Sequence, residues 1–180
     1  MSSRARWYAI HVRPNCEMAV ATRLRELGIE EYLPVANARE ISPRNKFPTG
    51  PPLFPGYVFS FLNLVTGPRL YNVPGVLRIL GYGKQPTHIE DEEIMMVRSI
   101  VNSSLPTEPV PYLRYGDKVC LINGPLAGVS GTFVRSLNGN KLVVSLPLLQ
   151  RSIAVTLPCD SVIAEELVGA VERHFVEVIR

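Results

Sequence analysis

Apolar residues recur along this chain with two different rhythms, and the change between them falls in a proline-rich stretch at 102–112. Before it, strand-like and helix-like segments alternate. Trp7 to Val12 (WYAIHV) is aromatic and β-branched, which predicts a strand. Pro14 then opens a predicted helix whose apolar positions Cys16, Val20, Leu24 and Leu27 keep helical spacing until Gly28 stops it. Glu30 to Val35 predicts a second strand, weakened by Pro34, and Asn37 to Pro52 is polar and Pro-rich, a long loop or ragged hairpin. Tyr57 to Leu62 (YVFSFL) is the strongest strand signal of this half. Val76 to Leu80 runs into a Gly81-Tyr82-Gly83 turn, and Ile89 to Val101 predicts a helix. Its first turn is acidic (Glu90, Asp91, Glu92, Glu93), which suits the positive end of the helix dipole, and Ile94, Val97 and Val101 form its apolar stripe.

The stretch NSSLPTEPVPY holds Pro106, Pro109 and Pro111, which forbid a continuous helix or a central strand. It reads either as a surface loop or as an extended tether, long enough at ~3.1 Å per residue to let two domains move apart. Beyond it the pattern is mostly β. Lys118–Ile122, Gly131–Leu137, Lys141–Leu146 and Ser152–Leu157 are short strand candidates separated by Gly, Pro or Asn, and Asn138-Gly139 is a hairpin signal. Strands of this length and spacing predict a small barrel. Glu165 to Ile179, with apolar Leu167, Val168, Val171, Phe175 and Val178, predicts an amphipathic tail helix that Gly169 weakens. The expected organisation is an α+β domain over residues 1–101, a linker at 102–112, an all-β domain at 113–166 and a tail at 167–180.

Composition narrows the chemistry. In 180 residues, 19 Lys+Arg face 16 Asp+Glu, a formal net charge of +3. That is too mild for a protein that coats nucleic acid, although a local basic patch remains compatible with it. Cys16, Cys120 and Cys159 are scattered and form no CxxC pair, so neither a disulfide framework nor a zinc site is expected. His11, His88 and His174 are equally dispersed, and P-loop, GxSxG and HExxH patterns are missing from the sequence. Glu90 to Glu93 point in different directions on a helix and are explained by capping. Cys16 sits where a helix start lowers a thiol pKa, but an inert helix cysteine is the better account. Catalysis, a metal and a cofactor are therefore not expected. With neither a signal-peptide apolar core nor an apolar run near the ~18 residues of a membrane span, a cytoplasmic protein is expected.

Two constellations remain. Gly116-Asp117-Lys118-Val119, then Asn123-Gly124-Pro125-Leu126-Ala127-Gly128, then Gly131-Thr132-Phe133-Val134 describe a strand, a tight Gly-Pro turn and a second strand in close approach. This pattern resembles a KOW motif, the signature of SH3-like barrels in transcription factors and some ribosomal proteins. Its structural positions here are Gly116, Asp117, Gly124, Pro125, Gly128 and Gly131. The second is Pro52-Leu53-Phe54-Pro55-Gly56-Tyr57-Val58-Phe59 followed by Val73-Pro74-Gly75-Val76. Together with Trp7-Tyr8 and the order of the elements, it resembles the N-terminal domain of the NusG family of transcription elongation factors. Gly28 to Pro34, Pro52 to Gly56 and Val76 to Gly81 look like its specialised branch, the RfaH-like and UpxY-like antiterminators, although general NusG proteins, which couple polymerase to Rho or the ribosome, share the framework.

The resemblance implies binding rather than catalysis. An α+β N-terminal domain, an antiparallel sheet flanked by helices, would dock on the clamp helices of the RNA polymerase β′ subunit and reach the β subunit. It would thereby bridge the DNA channel and suppress pausing or termination. The matching docking residues are Trp7, Tyr8, Phe54, Pro55, Tyr57 and Phe59, with Thr66 and Arg69 toward the β subunit, where Gly67-Pro68 departs from the family's polar bridge. Strand alternation puts Tyr57 and Phe59 on one face and Val58 on the other. One set is core and one interface, and periodicity does not say which. The loop residues Arg39, Arg44 and Lys46 match positions that approach the non-template DNA strand, with Phe47 able to stack on a base, unless this is simply a solvated loop. In the KOW domain, Leu148, Leu149, Gln150 and Arg151 match a loop that meets a ribosomal protein or Rho, although the aromatic residue common there is missing. Exposed leucines would mark an interface; buried ones would close the barrel. The β-branched strands argue for a stable barrel rather than a fold-switching one. A ribosomal or RNA-binding KOW protein is the rival reading, and it would require a more basic chain. A monomer that meets no membrane is expected.

Overall fold

The computed structural model describes residues 4–36, 50–64, 68–83, 85–113, 117–136, 139–158, 163–165 and 174–176, with only the backbone at 68–69, 117, 135–136, 139, 163–165 and 174–176. Strand β1 (Arg6–Val12) alternates Trp7, Ala9 and His11 on one face with Tyr8, Ile10 and Val12 on the other. Helix α1 (Glu17–Glu26) follows β1 and covers the second of these faces. It starts later than Pro14 because Asn15 takes a left-handed φ of 62°, making Pro14-Asn15 a turn. Its buried Val20, Ala21 and Leu24 pack on Tyr8, Ile10, Val12 and Val58. Gly28 at φ 71° ends the helix, and Ile29 N–H returns to Leu24 O at 2.9 Å.

Strand β2 is only Glu30–Tyr32, shorter than the expected run to Val35, because Pro34 has no N–H to extend the ladder. Val35 instead makes an isolated bridge with Pro52. Ala36 N–H to Pro51 O and Leu53 N–H to Pro34 O, both 2.9 Å, close this neck. Strand β3 (Tyr57–Leu62) pairs antiparallel with β1 from Arg6↔Leu62 to His11↔Tyr57. Strand β4 (Val76–Ile79) pairs with the far end of β1. A hairpin of β5 (Gly81–Tyr82) and β6 (Gln85–Pro86) leads to β7 (His88–Ile89), which pairs with Trp7 and Tyr8. The sheet order is β2-β3-β1-β4, with β7 also on β1.

Helix α2 (Asp91–Asn102) covers the Trp7 face. Ile89, expected as its first residue, belongs to β7 because it completes the pairing with Trp7. The Glu93 carboxylate accepts from Glu90 N–H at 3.2 Å, so the acidic first turn caps the helix. The buried stripe is Ile94, Val97 and Ile100; Val101, named from the sequence, is only half-buried.

The proline-rich stretch is not a tether throughout. Thr107–Pro111 forms β8, hydrogen-bonded to β12 (Arg151–Thr156). Prolines are excluded from central strands but not from edges, and β8 lies at the edge. Thr156 N–H donates to Pro106 O at 2.9 Å, and alternation then turns Pro109 and Pro111 away from β12, where no N–H is required. Strands β9 (Asp117–Leu121), β10 (Ser130–Ser136) and β11 (Gly139–Leu146) complete the expected strands to within a residue or two, as antiparallel neighbours. The Ser136↔Gly139 pair moves the hairpin connection to 137–138, outside the described residues, rather than Asn138-Gly139.

The expected tail helix is overturned wherever the tail is described. Strand β13 (Ile163–Glu165) pairs with β9 and β14 (His174–Val176) with β13. An open strand edge beside the tail satisfies its backbone groups, and this outweighs weak helical spacing interrupted by Gly169. The second sheet runs β14-β13-β9-β10-β11-β12-β8. The molecule is thus α+β, two helices on an antiparallel sheet followed by an all-antiparallel sheet. One apolar core joins Trp7, Ala9, Phe54, Phe59, Ile94, Val97 and Ile100 to the second sheet's Leu121, Leu142, Val144 and Ile153. Among the described residues no helix is long and apolar enough to cross a membrane.

Gly131 carries a testable constraint. A Cβ there would lie 2.7 Å from Val143 O and 3.0 Å from Leu142 side-chain carbons. Gly131→Ala is expected to lower unfolding free energy by roughly 1–3 kcal/mol in urea titration; an unchanged midpoint would refute this close approach.

Candidate docking site

The β1–β3 register decides which sequence-named residues reach the surface. Residues directly opposite across an antiparallel pair share a face. Phe61 and Ile89 therefore flank Trp7, and Tyr57 and Arg78 flank His11, all on the α2 side. The middle of this face is closed: Phe54 and Phe59 are buried and meet edge-on at 5.5 Å, and buried Trp7 lies 5.4 Å from Phe61. Tyr8 points to the α1 face and is buried too, which pushes its hydroxyl pKa up, with Arg6 opposing. On β3, Val58 and Phe59 are both buried and Tyr57 is half-buried, a third outcome beside the two that alternation left open. Trp7, Tyr8, Phe54 and Phe59 shape the sheet from inside.

Pro55 and Tyr57 are the sequence-named residues of this set that remain accessible. Half-buried Tyr57 stacks on His11, with ring centroids 5.3 Å apart and planes at 28°. Exposed Arg78 stands on the other side of His11. The result is a strip, Pro55–Tyr57–His11–Arg78, that offers an apolar ring, two stacked faces and a cation. Neither His11 nor Arg78 was named from the sequence. His11 was within reach of alternation from Trp7 and Ala9, but Arg78 required the register.

The opposite end of the face is locked rather than open. The Arg98 guanidinium on α2 lies 5.0 Å from the Trp7 ring centroid and 5.1 Å from that of Tyr32, with Glu30 at 3.7 Å. The Tyr32 hydroxyl is buried without a hydrogen-bond partner, the only such side-chain atom among the described residues. Burial pushes its pKa well above the ordinary tyrosine range, with Arg98 opposing.

Thr66 and the loop residues Arg39, Arg44, Lys46 and Phe47, expected from the sequence to approach DNA, lie outside the described residues, as does Gly116; of Arg69 and Asp117 only the backbone is described. In the second sheet Leu149 is buried and closes the core, while Leu148 is half-buried and Gln150 and Arg151 are exposed. Gln150 occupies a left-handed turn at φ 52°, which ends the short helical turn Pro147–Leu149. Gly124 (φ 75°) and Gly128 (φ 86°) bracket Pro125 in the turn between β9 and β10, a conformation that favours glycine. No group of three or more His, Cys, Asp or Glu able to hold a metal occurs among the described residues.

The buried phenol gives a measurable prediction. Tyr32 has a folded pKa above its unfolded value of ~10, so its neutral form contributes stability that is lost as pH rises through the folded value. In a phenolate absorbance titration, Tyr32→Phe is expected to remove one late-titrating tyrosine. It should cost no stability at neutral pH, because an unsatisfied hydroxyl leaves with it. An unchanged late phase would contradict the burial.

Residues 5–98 match the family described as transcription termination factor nusG. The transcription termination/antitermination protein NusG of Campylobacter jejuni is 30% identical over 136 residues, covering 69% of this chain and 77% of the relative. The protein of that description in Helicobacter pylori is 25% identical over 164 residues, covering 84% and 93%. A Thermotoga maritima NusG structure, described as showing domain interaction, aligns at 22% identity over 85% of this chain and 94% of its own, with a TM-score of 0.49. With more than half its length inside the family match, this chain belongs to the NusG family of transcription termination and antitermination factors.

Proposed function

We propose that this chain is a transcription elongation and antitermination factor that docks on RNA polymerase through the Pro55–Tyr57–His11–Arg78 strip. The observation that carries this is the His11–Tyr57 stack on the accessible end of an otherwise closed sheet face, beside exposed Pro55 and Arg78. A partly exposed aromatic pair next to a cation suits a protein partner with apolar and acidic groups, such as a helical pair of the polymerase β′ clamp. Docked there and reaching toward the β subunit through Thr66 and Arg69, the domain would bridge the DNA channel, hold the clamp closed and suppress pausing or termination. Arg39, Arg44 and Lys46 would meet phosphates of the non-template strand and Phe47 would stack on a base, a contribution that weakens with salt.

The second sheet is proposed to be a KOW-type barrel that recruits a further factor, a ribosomal protein or Rho. Burial of Leu149 leaves Leu148, Gln150 and Arg151 as its contact residues. The curated relatives carry the general factor's name, and nothing among the described residues separates this chain from them in favour of the specialised branch. A ribosomal KOW role is disfavoured because the family match falls on the N-terminal part, 5–98, which such a role leaves unexplained.

Affinity of the full chain for bacterial core RNA polymerase tests the reading. Tyr57→Ala is expected to weaken binding by roughly 2 kcal/mol, about thirtyfold, in a chain that still folds, and Arg78→Glu by about tenfold with an unchanged unfolding midpoint. Retained affinity in both variants would remove the strip from the docking surface. Replacing Arg39, Arg44 and Lys46 with Glu is expected to flatten the salt dependence of binding to a complete elongation complex. An unchanged slope would exclude the DNA contact.

A further inference from the structure

Glu17 is a buried carboxylate that the docking surface itself does not use, at 7% exposure among otherwise apolar helix positions. Its Oε1 accepts the Gly56 N–H at 2.8 Å across 39 positions of sequence. The carbonyl of the same glycine accepts Val12 N–H at 2.9 Å. Gly56 is thus held from both sides, by the first turn of α1 and by the last residue of β1. Its φ of 85° lies in the left-handed region, so the Phe54-Pro55-Gly56-Tyr57 turn has a conformation that only a glycine adopts readily. The same corner grips the second Pro-Gly motif. Arg13 N–H donates to Gly75 O at 2.8 Å, and a Cβ on Gly75 would stand 3.1 Å from both Cys16 Cβ and Val20 Cγ2.

We propose that Glu17 is a positioning residue that clamps the Gly56 turn and so sets Pro55 and Tyr57 in register with His11 for partner docking. This rests on the docking strip described under Proposed function. A carboxylate acceptor makes a stronger bond to an N–H than a neutral oxygen does, and its burial is offset by that bond. Without it, Gly56 N–H loses its acceptor, and the turn that sets Tyr57 against His11 keeps only the Val12 N–H to Gly56 O bond at 2.9 Å and the Tyr57 N–H to Phe54 O bond at 3.1 Å. Glu17 touches no partner; it acts through Gly56.

The test uses the full chain with two substitutions, Glu17→Gln, which keeps an acceptor oxygen, and Glu17→Leu, which keeps bulk without an acceptor. Amide exchange by NMR on the free protein is expected to speed at Gly56 by about tenfold in the Leu variant, while Val58 and Ile10 exchange as in the parent. Affinity for core polymerase should then fall about tenfold for Leu and stay near the parent for Gln. Parental Gly56 exchange in the Leu variant would overturn the clamp. Faster Gly56 exchange with parental affinity, where Tyr57→Ala has lost it, would overturn the positioning role. If the Leu variant does not fold, the Gln variant decides: its Gly56 amide proton should move upfield as the charge leaves, and an unmoved resonance overturns the clamp. Should Tyr57→Ala and Arg78→Glu both keep parental affinity, the docking strip fails, while Gly56 exchange still judges the clamp.

Discussion

The pairing of β1 with β3 governs most of what this molecule presents to a partner. Six consecutive pairs, Arg6↔Leu62 to His11↔Tyr57, fix which aromatic side chain stands beside which. A slip of one residue would send Trp7 and Ala9 to the α1 side and Tyr8 and Ile10 to the α2 side. Both faces of β1 are apolar, so alternation along β1 alone does not select the register. The selection comes from the ends. Val12 N–H meets Gly56 O at the turn entering β3, and His11 stacks on Tyr57 one step away.

Burial on both faces has a functional consequence. The residues that most resemble docking aromatics are consumed as core: Trp7 beneath Arg98, Phe54 against Phe59, Tyr8 against the α1 layer. Large aromatics buried this way supply rigidity, since each contributes well over 100 Å² of apolar surface to a close-packed interior. Under the proposed reading recognition falls to the rim, where a half-buried tyrosine stacks on His11. The Arg98 sandwich between Trp7 and Tyr32 adds about 0.5–1 kcal/mol per contact and ties α2 to the end of the sheet opposite the strip.

Much of this was legible in the chain itself, and the exceptions share a cause. Strands β3 and β9 to β12 were visible because β-branched and aromatic residues alternate between Gly, Pro and Asn breaks, and α1 and α2 because their apolar spacing is helical. What failed depends on contacts distant in sequence. The first residue of α2 moved because Ile89 pairs with Trp7, and the tail became strand because β9 offers an open edge. The proline-rich segment became β8 because an edge strand tolerates prolines facing outward. In the proposed site, Pro55 and Tyr57 carry a motif in the sequence, whereas Arg78 becomes a neighbour of His11 only through the β1–β4 register. No local pattern sets Glu17 apart, because its partner lies 39 positions away.

The central claim is that polymerase binds the accessible end of the α2 face. It is tested most directly by hydrogen–deuterium exchange of the full chain with and without core RNA polymerase. The account predicts slowed exchange in the segments carrying Pro55–Tyr57, His11 and Arg78, with the α1 surface around Arg23 and Glu26 unchanged. Protection confined to α1, or none in the segment carrying Tyr57, would contradict it.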